Sequence, residues 1–298
     1  INMFIMKFIF RIFLSIYIIS ICNISYADQT RDVINKATEK LTSFITNTIS
    51  GEGLTEFSIE FPDNDDVEIQ YLNFKELNTN EFGNTFSQLS FNTQEINDDT
   101  RYIINYGYGK RFLDNDKSMM TGMNLFFDYD LEGHARTSLG LEAKASMLDF
   151  TANYYLGLSN TETINGTNEK VLDGYELNLA SQMPFMAWAT VNYQNYDFKK
   201  DKAAENTAGN IVSLEMRLTP NIQFEASRNF ISVSGIEDED SYKIMYYSPP
   251  RNETSMQDGL ISSNIFEKDN MEDKLLESVR RRNNMTIEVQ GSVILTKQ

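Results

Sequence analysis

Two aspartates and a histidine are the residues whose types and spacing could support hydrolysis. Asp128 and Asp130 alternate along one stretch, and His134, the only histidine of the chain, follows closely. Acidic groups beside a histidine can activate a nucleophile, so a hydrolase carried on a barrel is one candidate function. No Ser-His-Asp arrangement is evident. We therefore predict no catalytic residue, and we expect His134 to be polar surface in a turn.

Two acidic clusters, at residues 63–66 and 237–240, offer oxygen ligands to Ca²⁺ or to divalent ions that bridge lipopolysaccharide. Neither has the glycine and terminal glutamate of an EF-hand loop, so solvated loops are the preferred interpretation. No metal and no cofactor is predicted. The formal net charge of −17 argues against nucleic acid as a partner.

The N-terminus has the composition of an export signal. Lys7 and Arg11 supply positive charge, residues 12–22 form an apolar run, and small residues follow it. This pattern predicts a signal peptide over residues 1–27 that is cleaved between Ala27 and Asp28.

Residues 28–53 carry apolar side chains at helical spacing and end in glycines. They are expected to form a short amphipathic helix and linker in the periplasm. Beyond the signal, no run of 18 apolar residues exists, so no helical membrane span is predicted.

Between residues 54 and 248, apolar and polar residues alternate along a dozen short stretches. In residues 148–158 the even-numbered positions are apolar and the odd-numbered positions are largely polar. Because side chains of a strand point alternately to opposite faces, such a stretch has one apolar face. Combined with an export signal, the pattern predicts an all-β fold: a transmembrane antiparallel β-barrel of about twelve strands. A soluble sandwich would alternate in the same way. The predicted strands are residues 54–61, 65–77, 82–93, 100–112, 118–130, 135–147, 148–159, 170–183, 186–198, 208–218, 220–231 and 240–248.

Charged residues with apolar neighbours on both sides indicate which face is directed at the pore. A lysine or arginine directed at lipid costs about 2–4 kcal/mol at the bilayer midplane. These side chains are therefore expected to face the lumen, where they can pair with one another and with water. The lumen-facing candidates are Glu142, Lys144, Glu176, Glu215 and Arg217.

Aromatic residues are candidates for the girdles at the two membrane–water interfaces, where amphipathic rings lie at headgroup level. Core packing in a soluble protein is the competing interpretation. The girdle candidates are Tyr154, Trp188, Tyr193 and Tyr246.

Residues 249–298 follow the last predicted strand. Residues 248–264 are polar and predict a loop, residues 270–282 predict a short helix, and residues 285–295 alternate again. We expect this tail to thread the pore. Its Arg280-Arg281-Arg282 run could plug an acidic lumen beside Glu142, Glu176 or Glu215; a solvated charge run is the alternative.

Several motifs resemble the β-domain of the intimin/invasin family, the inverse autotransporters. Those within the predicted barrel are NYGYGKRF (105–112), MNLFFDYD (123–130), GHAR (133–136) and GLEA (140–143). The run LESVRRRNNMTIE (276–288) resembles the segment just after the barrel of that family. The resemblance covers roughly residues 54–290.

This resemblance implies a non-enzymatic translocator: a twelve-stranded outer-membrane barrel whose following chain passes through the pore and carries adhesin domains to the cell surface. It also implies that Asp128 and Asp130 are structural residues, which we expect to cap backbone groups in a turn. The implied partners are outer-membrane lipid and lipopolysaccharide, the barrel-assembly machinery with periplasmic chaperones, and a host surface receptor. Because residues 249–298 contain no passenger domain, a passenger-less porin-like or structural barrel is the alternative.

Overall fold

Twelve antiparallel strands among the described residues close into one barrel in the computed structural model. The structure describes residues 53–63, 66–97, 99–268, 270–289 and 292–294. The predicted cleavage site between Ala27 and Asp28 and the predicted periplasmic helix lie outside these residues. The barrel strands are β1 (Leu54–Pro62), β2 (Glu68–Asn80), β3 (Gly83–Ile96), β4 (Asp99–Leu113), β5 (Met119–Asp130), β6 (Ala135–Ala145), β7 (Leu148–Gly157), β10 (Gly174–Met183), β11 (Met186–Phe198), β12 (Thr207–Thr219), β13 (Ile222–Ile231) and β14 (Glu239–Ser248).

The barrel closes where β1 pairs with β14, from Thr55 opposite Ser248 to Pro62 opposite Ser241. Every barrel strand therefore has two hydrogen-bonded neighbours, and no barrel strand presents an open edge. The predicted all-β, twelve-stranded antiparallel barrel is confirmed.

The connections at the two ends of the barrel differ in length. We call one end the turn end; its connections are residues 81–82, 114–118, 146–147, 184–185 and 220–221. The opposite end, the loop end, has the connections 63–67, 97–98, 131–134, 158–173, 199–206 and 232–238. Because β1 begins at the turn end and the strand number is even, β14 also returns the chain there.

A small second sheet is built from the longest loop and the tail. Its strands are β8 (Glu162–Ile164), β9 (Thr167–Val171), β15 (Ile287–Val289) and β16 (Ser292–Ile294), in the order β16-β15-β9-β8. The sequence predicted strands over residues 148–159 and 170–183, and the hairpin of β8 and β9 occupies the connection between them and the start of the second. Asn165 and Gly166 both have positive φ, 49° and 82°, as a two-residue hairpin turn requires.

The predicted helix over residues 270–282 is wrong. The described helical residues are two 3₁₀ turns, Met256–Asp258 and Asp273–Leu276, and the chain from Glu277 to Thr286 is neither helix nor strand. No helix in the described part of the chain is long and apolar enough to cross a membrane.

Burial alternates along the strands as the sequence does. From Arg101 in β4 to the end of β6, the inward-facing side chains of the strands are buried and their outward-facing neighbours are exposed or half-buried. The outward side carries an apolar belt, as a lipid-facing surface requires. Its exposed members include Phe91, Tyr102, Tyr106, Tyr108, Met123, Leu125, Phe127, Leu139, Leu141, Phe150, Tyr154, Leu156, Leu177, Leu179, Tyr193, Tyr242 and Ile244.

Two inward-facing glycines of β4 make room for aromatic rings. A Cβ on Gly107 would lie 2.2 Å from the ring of Phe126, and one on Gly109 would lie 2.3 Å from the ring of Phe86. Both rings are almost fully buried. The glycines therefore let bulky rings from neighbouring strands fill the lumen wall.

We predict that Gly107→Ala lowers the stability of the barrel by about 1–3 kcal/mol, the usual cost of overpacking a filled site. The added methyl group must displace the Phe126 ring. Urea unfolding in detergent micelles, followed by the mobility of folded and unfolded forms on gels, measures the change. Ala152→Val, which adds carbon on the outward face of β7, is the control. Equal unfolding midpoints for the two variants would contradict the prediction.

Candidate functional site

The candidate site is the inward-facing wall of the barrel where it contacts residues 270–289, which we call the C-terminal segment. At the turn end, Arg111 Nη1 donates to the carbonyl of Leu275 at 2.8 Å. Further along, Asn105 donates to the carbonyl of Asn283 at 3.0 Å. At the loop end, the N–H of Leu172 donates to the carbonyl of Thr286 at 2.9 Å. The contacts of the segment thus extend from one end of the barrel to the other.

Wall side chains bind the backbone of the segment. Arg111 Nη1 donates to the carbonyls of Lys274 and Glu277 as well, at 3.3 and 2.7 Å. Arg136 donates to the carbonyls of Arg282 and Asn284, at 2.8 and 3.0 Å. These carbonyls would otherwise need partners within a helix. The barrel wall supplies these partners instead, and residues 277–286 form no helix.

Two glutamines of β3 act in the same way on backbone N–H groups. Gln88 Oε1 accepts from the N–H of Val279 at 2.8 Å. Gln94 makes two bonds to Met285: its Oε1 accepts from the N–H at 2.9 Å and its Nε2 donates to the carbonyl at 2.7 Å. A carboxamide has the donor and acceptor of a peptide group, so Gln94 substitutes for a neighbouring strand.

The three consecutive arginines of the segment contact three different carboxylates. Arg280 Nη2 lies 2.5 Å from Glu215 Oε1, and Arg282 Nε lies 3.8 Å from Glu176 Oε2. Between them, Arg281 Nη2 lies 2.7 Å from Asp128 Oδ2, with both side chains fully buried. Because successive side chains of an extended chain point in different directions, each arginine reaches a different part of the wall.

Aromatic rings lie beneath two of these guanidinium groups. The Arg281 guanidinium carbon is 4.2 Å from the ring centre of Phe126, the ring that Gly107 accommodates. That of Arg282 is 4.6 Å from the ring centre of Tyr196. Cation–π contacts are strongest when desolvated, so the rings offset part of the cost of burying these charges.

All five lumen-facing candidates are buried on the barrel wall. Glu176 and Glu215 contact the arginine run, whereas Glu142 pairs with Arg111 at 2.9 Å rather than with that run. The other two contact residues that follow β14: Lys144 Nζ lies 2.5 Å from Glu277, and Arg217 Nη1 lies 3.1 Å from Glu253.

The expectation that Asp128 caps a turn is wrong. Asp128 lies within β5 and is fully buried, bonded to Arg136 Nε at 2.8 Å, to Asn105 Nδ2 at 2.8 Å and to Arg281. Asp130 does cap the backbone N–H of Glu132, at 3.0 Å. It also pairs with the buried Arg101, at 3.1 Å. The two aspartates therefore bind arginines and an asparagine of neighbouring strands, and Asp128 also binds Arg281 of the C-terminal segment. Neither is placed beside a nucleophile by these contacts.

The expectation that His134 is polar surface is also wrong, because its side chain is fully buried. Its Nε2 lies 3.2 Å from Glu169 of β9, and its Nδ1 lies 3.3 Å from the hydroxyl of Ser159. Both partners come from the long connection 158–173, which folds over His134 and buries it. The sequence alone placed His134 in a turn and gave no sign of this cover.

Two of the four girdle candidates lie on the outward surface, and two do not. Tyr154 and Tyr193 are 43% and 46% exposed. Trp188 and Tyr246 are only 4% and 3% exposed, so neither presents its ring at the barrel surface. The indole N–H of Trp188 donates to the carbonyl of Leu260 at 2.9 Å, which places this ring beneath the chain that follows β14.

The acidic clusters contain ion pairs where they are described. Asp238 and Asp240 both contact Arg228, at 3.6 and 3.2 Å. Part of the other cluster, residues 64–65, lies outside the described residues. Within the described ranges, no group of three potential ligand side chains is placed to hold a metal ion.

The connection 114–118 holds the beginning of the C-terminal segment at the turn end. Hydrogen bonds from the Ser118 side chain and from the backbone of Met119 lower the pKa of Asp114 and fix the shape of this turn. Lys117 of the same turn contacts Glu272 and lowers the pKa of that carboxyl by its hydrogen bond.

The wall residues that bind the segment backbone were not identified from the sequence. Gln88, Gln94 and Arg136 occupy inward positions of the alternation, so a polar residue at an inward position was the available signal. That signal does not say which group a wall residue meets, because the partners are up to 191 positions away in the chain.

Comparison with known proteins gives a family and a fold. The family model described as inverse autotransporter, beta-domain, matches residues 23–283. No curated protein matches the chain. Among solved structures, a membrane protein from work on in-meso crystallization has a TM-score of 0.63 at 16% identity, covering 80% of this chain and all of that chain. A KdgM porin in complex with disordered oligogalacturonate has a TM-score of 0.44 at 11% identity, covering 65% and 97%. The outer membrane phospholipase A from Escherichia coli has a TM-score of 0.42 at 9% identity, covering 64% and 95%.

The fold and the wall contacts define a class of protein: a closed outer-membrane barrel whose inward-facing side chains bind the extended chain that follows its last strand. Within that class, the chain belongs to the inverse autotransporter β-domain family. The family and the fold together place it in the bacterial outer membrane.

We predict that Asp128→Asn destabilises the barrel by about 3–5 kcal/mol, the usual cost of removing one partner of a buried ion pair. The change leaves Arg136 and Arg281 buried beside each other without their shared carboxylate. Urea unfolding followed by the fluorescence of Trp188, the only tryptophan, measures the loss.

Asp116→Asn, at an exposed position of the turn end, is the matched control and should remain within about 0.5 kcal/mol of wild type. Adding Arg281→Met to Asp128→Asn should recover part of the loss, since it removes one of the unpaired cations. Equal unfolding midpoints for Asp128→Asn and Asp116→Asn would contradict the assignment of Asp128 as the residue that joins the segment to the wall.

Proposed function

We propose that this barrel is the translocator and membrane anchor of an intimin/invasin-like adhesin, and that its C-terminal segment threads the pore toward the cell surface. The observation that carries the proposal is the series of wall-to-backbone hydrogen bonds along residues 274–286. A wall that binds main-chain groups fits an extended polypeptide in transit better than it fits a small solute.

The places where the C-terminal segment begins and where it pairs with the barrel loops support export toward the cell surface. The last barrel strand returns the chain to the turn end, and β15 pairs with β9 of a loop-end connection. In outer-membrane barrels short turns face the periplasm and longer loops face the outside. A segment that starts at the turn end and pairs at the loop end therefore leads outward.

Buried charge supports a plug rather than an open channel. The Arg281–Asp128 pair excludes solvent completely, and Arg111 with Glu142 is equally buried. A cavity of about 210 Å³ persists beside the segment, lined in part by β12 to β14. The segment therefore fills part of the lumen and leaves water on one side.

The remaining parts of the proposal rest on family and composition. An export signal over residues 1–27 is cleaved after Ala27 and delivers the chain to periplasmic chaperones and the barrel-assembly machinery. The outward apolar belt contacts outer-membrane lipid and lipopolysaccharide. The barrel has no catalytic task, and binding of a host surface receptor belongs to adhesin domains carried outward by the segment.

A porin-like barrel that carries nothing outward is the second candidate, and the polar cavity beside the segment is the observation that favours it. The two candidates differ in what the segment does. In a porin the conductance of the barrel does not depend on residues 270–298, whereas in a plugged translocator it does.

We predict that deletion of residues 270–298 raises the single-channel conductance of the barrel several-fold in planar bilayers, because the wall loses the chain that fills it. Wild type should show a small conductance with rare openings. Arg281→Glu, which brings a carboxylate against Asp128, should give intermediate behaviour with frequent openings.

The control is Lys110→Gln, which removes a cation from the exposed outward face of β4 without emptying the lumen. Gel mobility before and after heating verifies that each variant is folded. An unchanged conductance in the folded deletion variant would favour the porin-like alternative.

We also predict that an epitope tag joined after Gln298 is reached by antibody on intact cells, because the segment leads outward. A tag that is reached only after permeabilisation of the outer membrane would contradict export.

A further inference from the structure

We propose that the loop end contains a latch: a strand-binding site that recognises residues 285–289 of the C-terminal segment in one register through the Glu288 carboxylate and prevents the segment from slipping back. This inference rests on the proposed function, since only an exported segment needs to be retained. The ligand of the site is an extended peptide of this chain with alternating apolar residues and one acidic side chain.

Main-chain pairing is the first component of the latch. β15 pairs antiparallel with β9, with Ile287 opposite Val171 and Val289 opposite Glu169. The N–H of Leu172 adds a bond to the carbonyl of Thr286. The segment thus joins the edge of a hairpin, as peptides do in β-augmentation. Main-chain bonds alone would accept any extended sequence.

Apolar packing is the second component. Met285, Ile287 and Val289 are buried in one cluster with Ile96, Ile103 and Val171. These three residues of the segment alternate, so they share one face of the strand. Their partners come from β3, β4 and β9. Packing therefore specifies alternating apolar residues, although a shift by two residues would preserve that pattern.

The Glu288 carboxylate is the third component and fixes the register. It accepts three consecutive backbone N–H groups of the connection 199–206: Asp201 at 2.8 Å, Lys202 at 2.6 Å and Ala203 at 3.1 Å. Glu288 is 3% exposed. Consecutive N–H groups that converge in this way form an anion-binding concavity, and hydrogen bonds to a carboxylate are among the strong ones in proteins.

Only one register places a carboxylate in that concavity. A slip by one residue brings an apolar side chain to it, because side chains of a strand alternate. A slip by two brings Thr286 or Gln290, which are neutral. The N–H groups would then lose their charged acceptor. Retention of the segment therefore depends on Glu288 far more than on its neighbours of similar size.

Contacts within the barrel hold the receptor in place independently of the segment. Glu169 of β9 pairs with Arg101 of β4 at 2.7 Å and with His134 at 3.2 Å, and all three side chains are buried. In the connection 199–206, Asn206 accepts the N–H of Lys200 at 3.2 Å and donates to Asp197 at 2.9 Å. The loops therefore form the site without the segment. Binding of the strand then costs little ordering of the loops, which favours its retention.

The test is hydrogen exchange of the full-length barrel in detergent micelles, measured by mass spectrometry, for wild type, Glu288→Gln and Glu237→Gln. Glu288→Gln replaces half of the acceptor with an NH₂ group. We expect the amides of residues 201–203 and 285–289 to exchange at least about tenfold faster in this variant, which corresponds to about 1.4 kcal/mol. Glu237→Gln removes the same charge from an exposed position of the loop-end connection 232–238, outside the C-terminal segment, and should leave both regions unchanged.

Glu288→Asp keeps the charge on a shorter side chain and should restore part of the protection. Equal exchange of residues 201–203 in Glu288→Gln and wild type would overturn the latch, as would an equally large increase of exchange in Glu237→Gln. Failure of export is seen separately: the C-terminal epitope tag is then unreachable on intact cells in wild type, whatever the exchange data give. A tag that is reached together with unchanged exchange leaves export standing and removes the latch.

Discussion

The structure depends on the hydrogen-bonding needs of an extended peptide enclosed by a barrel. Each buried backbone N–H or carbonyl without a partner costs free energy comparable to a lost hydrogen bond, and an extended chain cannot satisfy these groups by itself. Here Arg111, Arg136, Gln88 and Gln94 supply the partners from the wall. The inward face must therefore be polar for two reasons. It faces a lumen, and it supplies the backbone of the C-terminal segment with the hydrogen bonds that neighbouring strands would otherwise make.

Charge adds specificity to this arrangement. Buried ion pairs contribute little net stability because desolvation opposes the Coulomb attraction, but a mispaired buried charge is costly. Arg280, Arg281 and Arg282 each contact a different carboxylate, so a shifted segment would lose these three pairings. Backbone bonds hold the segment in the lumen, and charges with their aromatic supports determine its position there.

The two ends of the barrel contact different parts of the C-terminal segment. At the turn end, the contact between Lys117 and Glu272 joins the connection 114–118 to the beginning of the C-terminal segment. At the loop end, the longest loop folds into a hairpin that the buried side chains of Arg101 and His134 hold against the wall. β15 pairs with this hairpin, so the longest loop and the C-terminal segment contribute strands to one sheet.

The sequence by itself determined the strands, their number and their two faces, because alternation is a local property that every barrel strand carries in its own residues. It also predicted that Glu215 faces the lumen, and it left open whether Arg281 lies beside an acidic wall or in solvent. It did not determine the partners of Asp128 or His134, the burial of Trp188, or the non-helical conformation of residues 277–286. Helical spacing in 270–282 is real, yet the tertiary structure overrides it, because hydrogen-bond partners more than a hundred residues away replace those that a helix would supply.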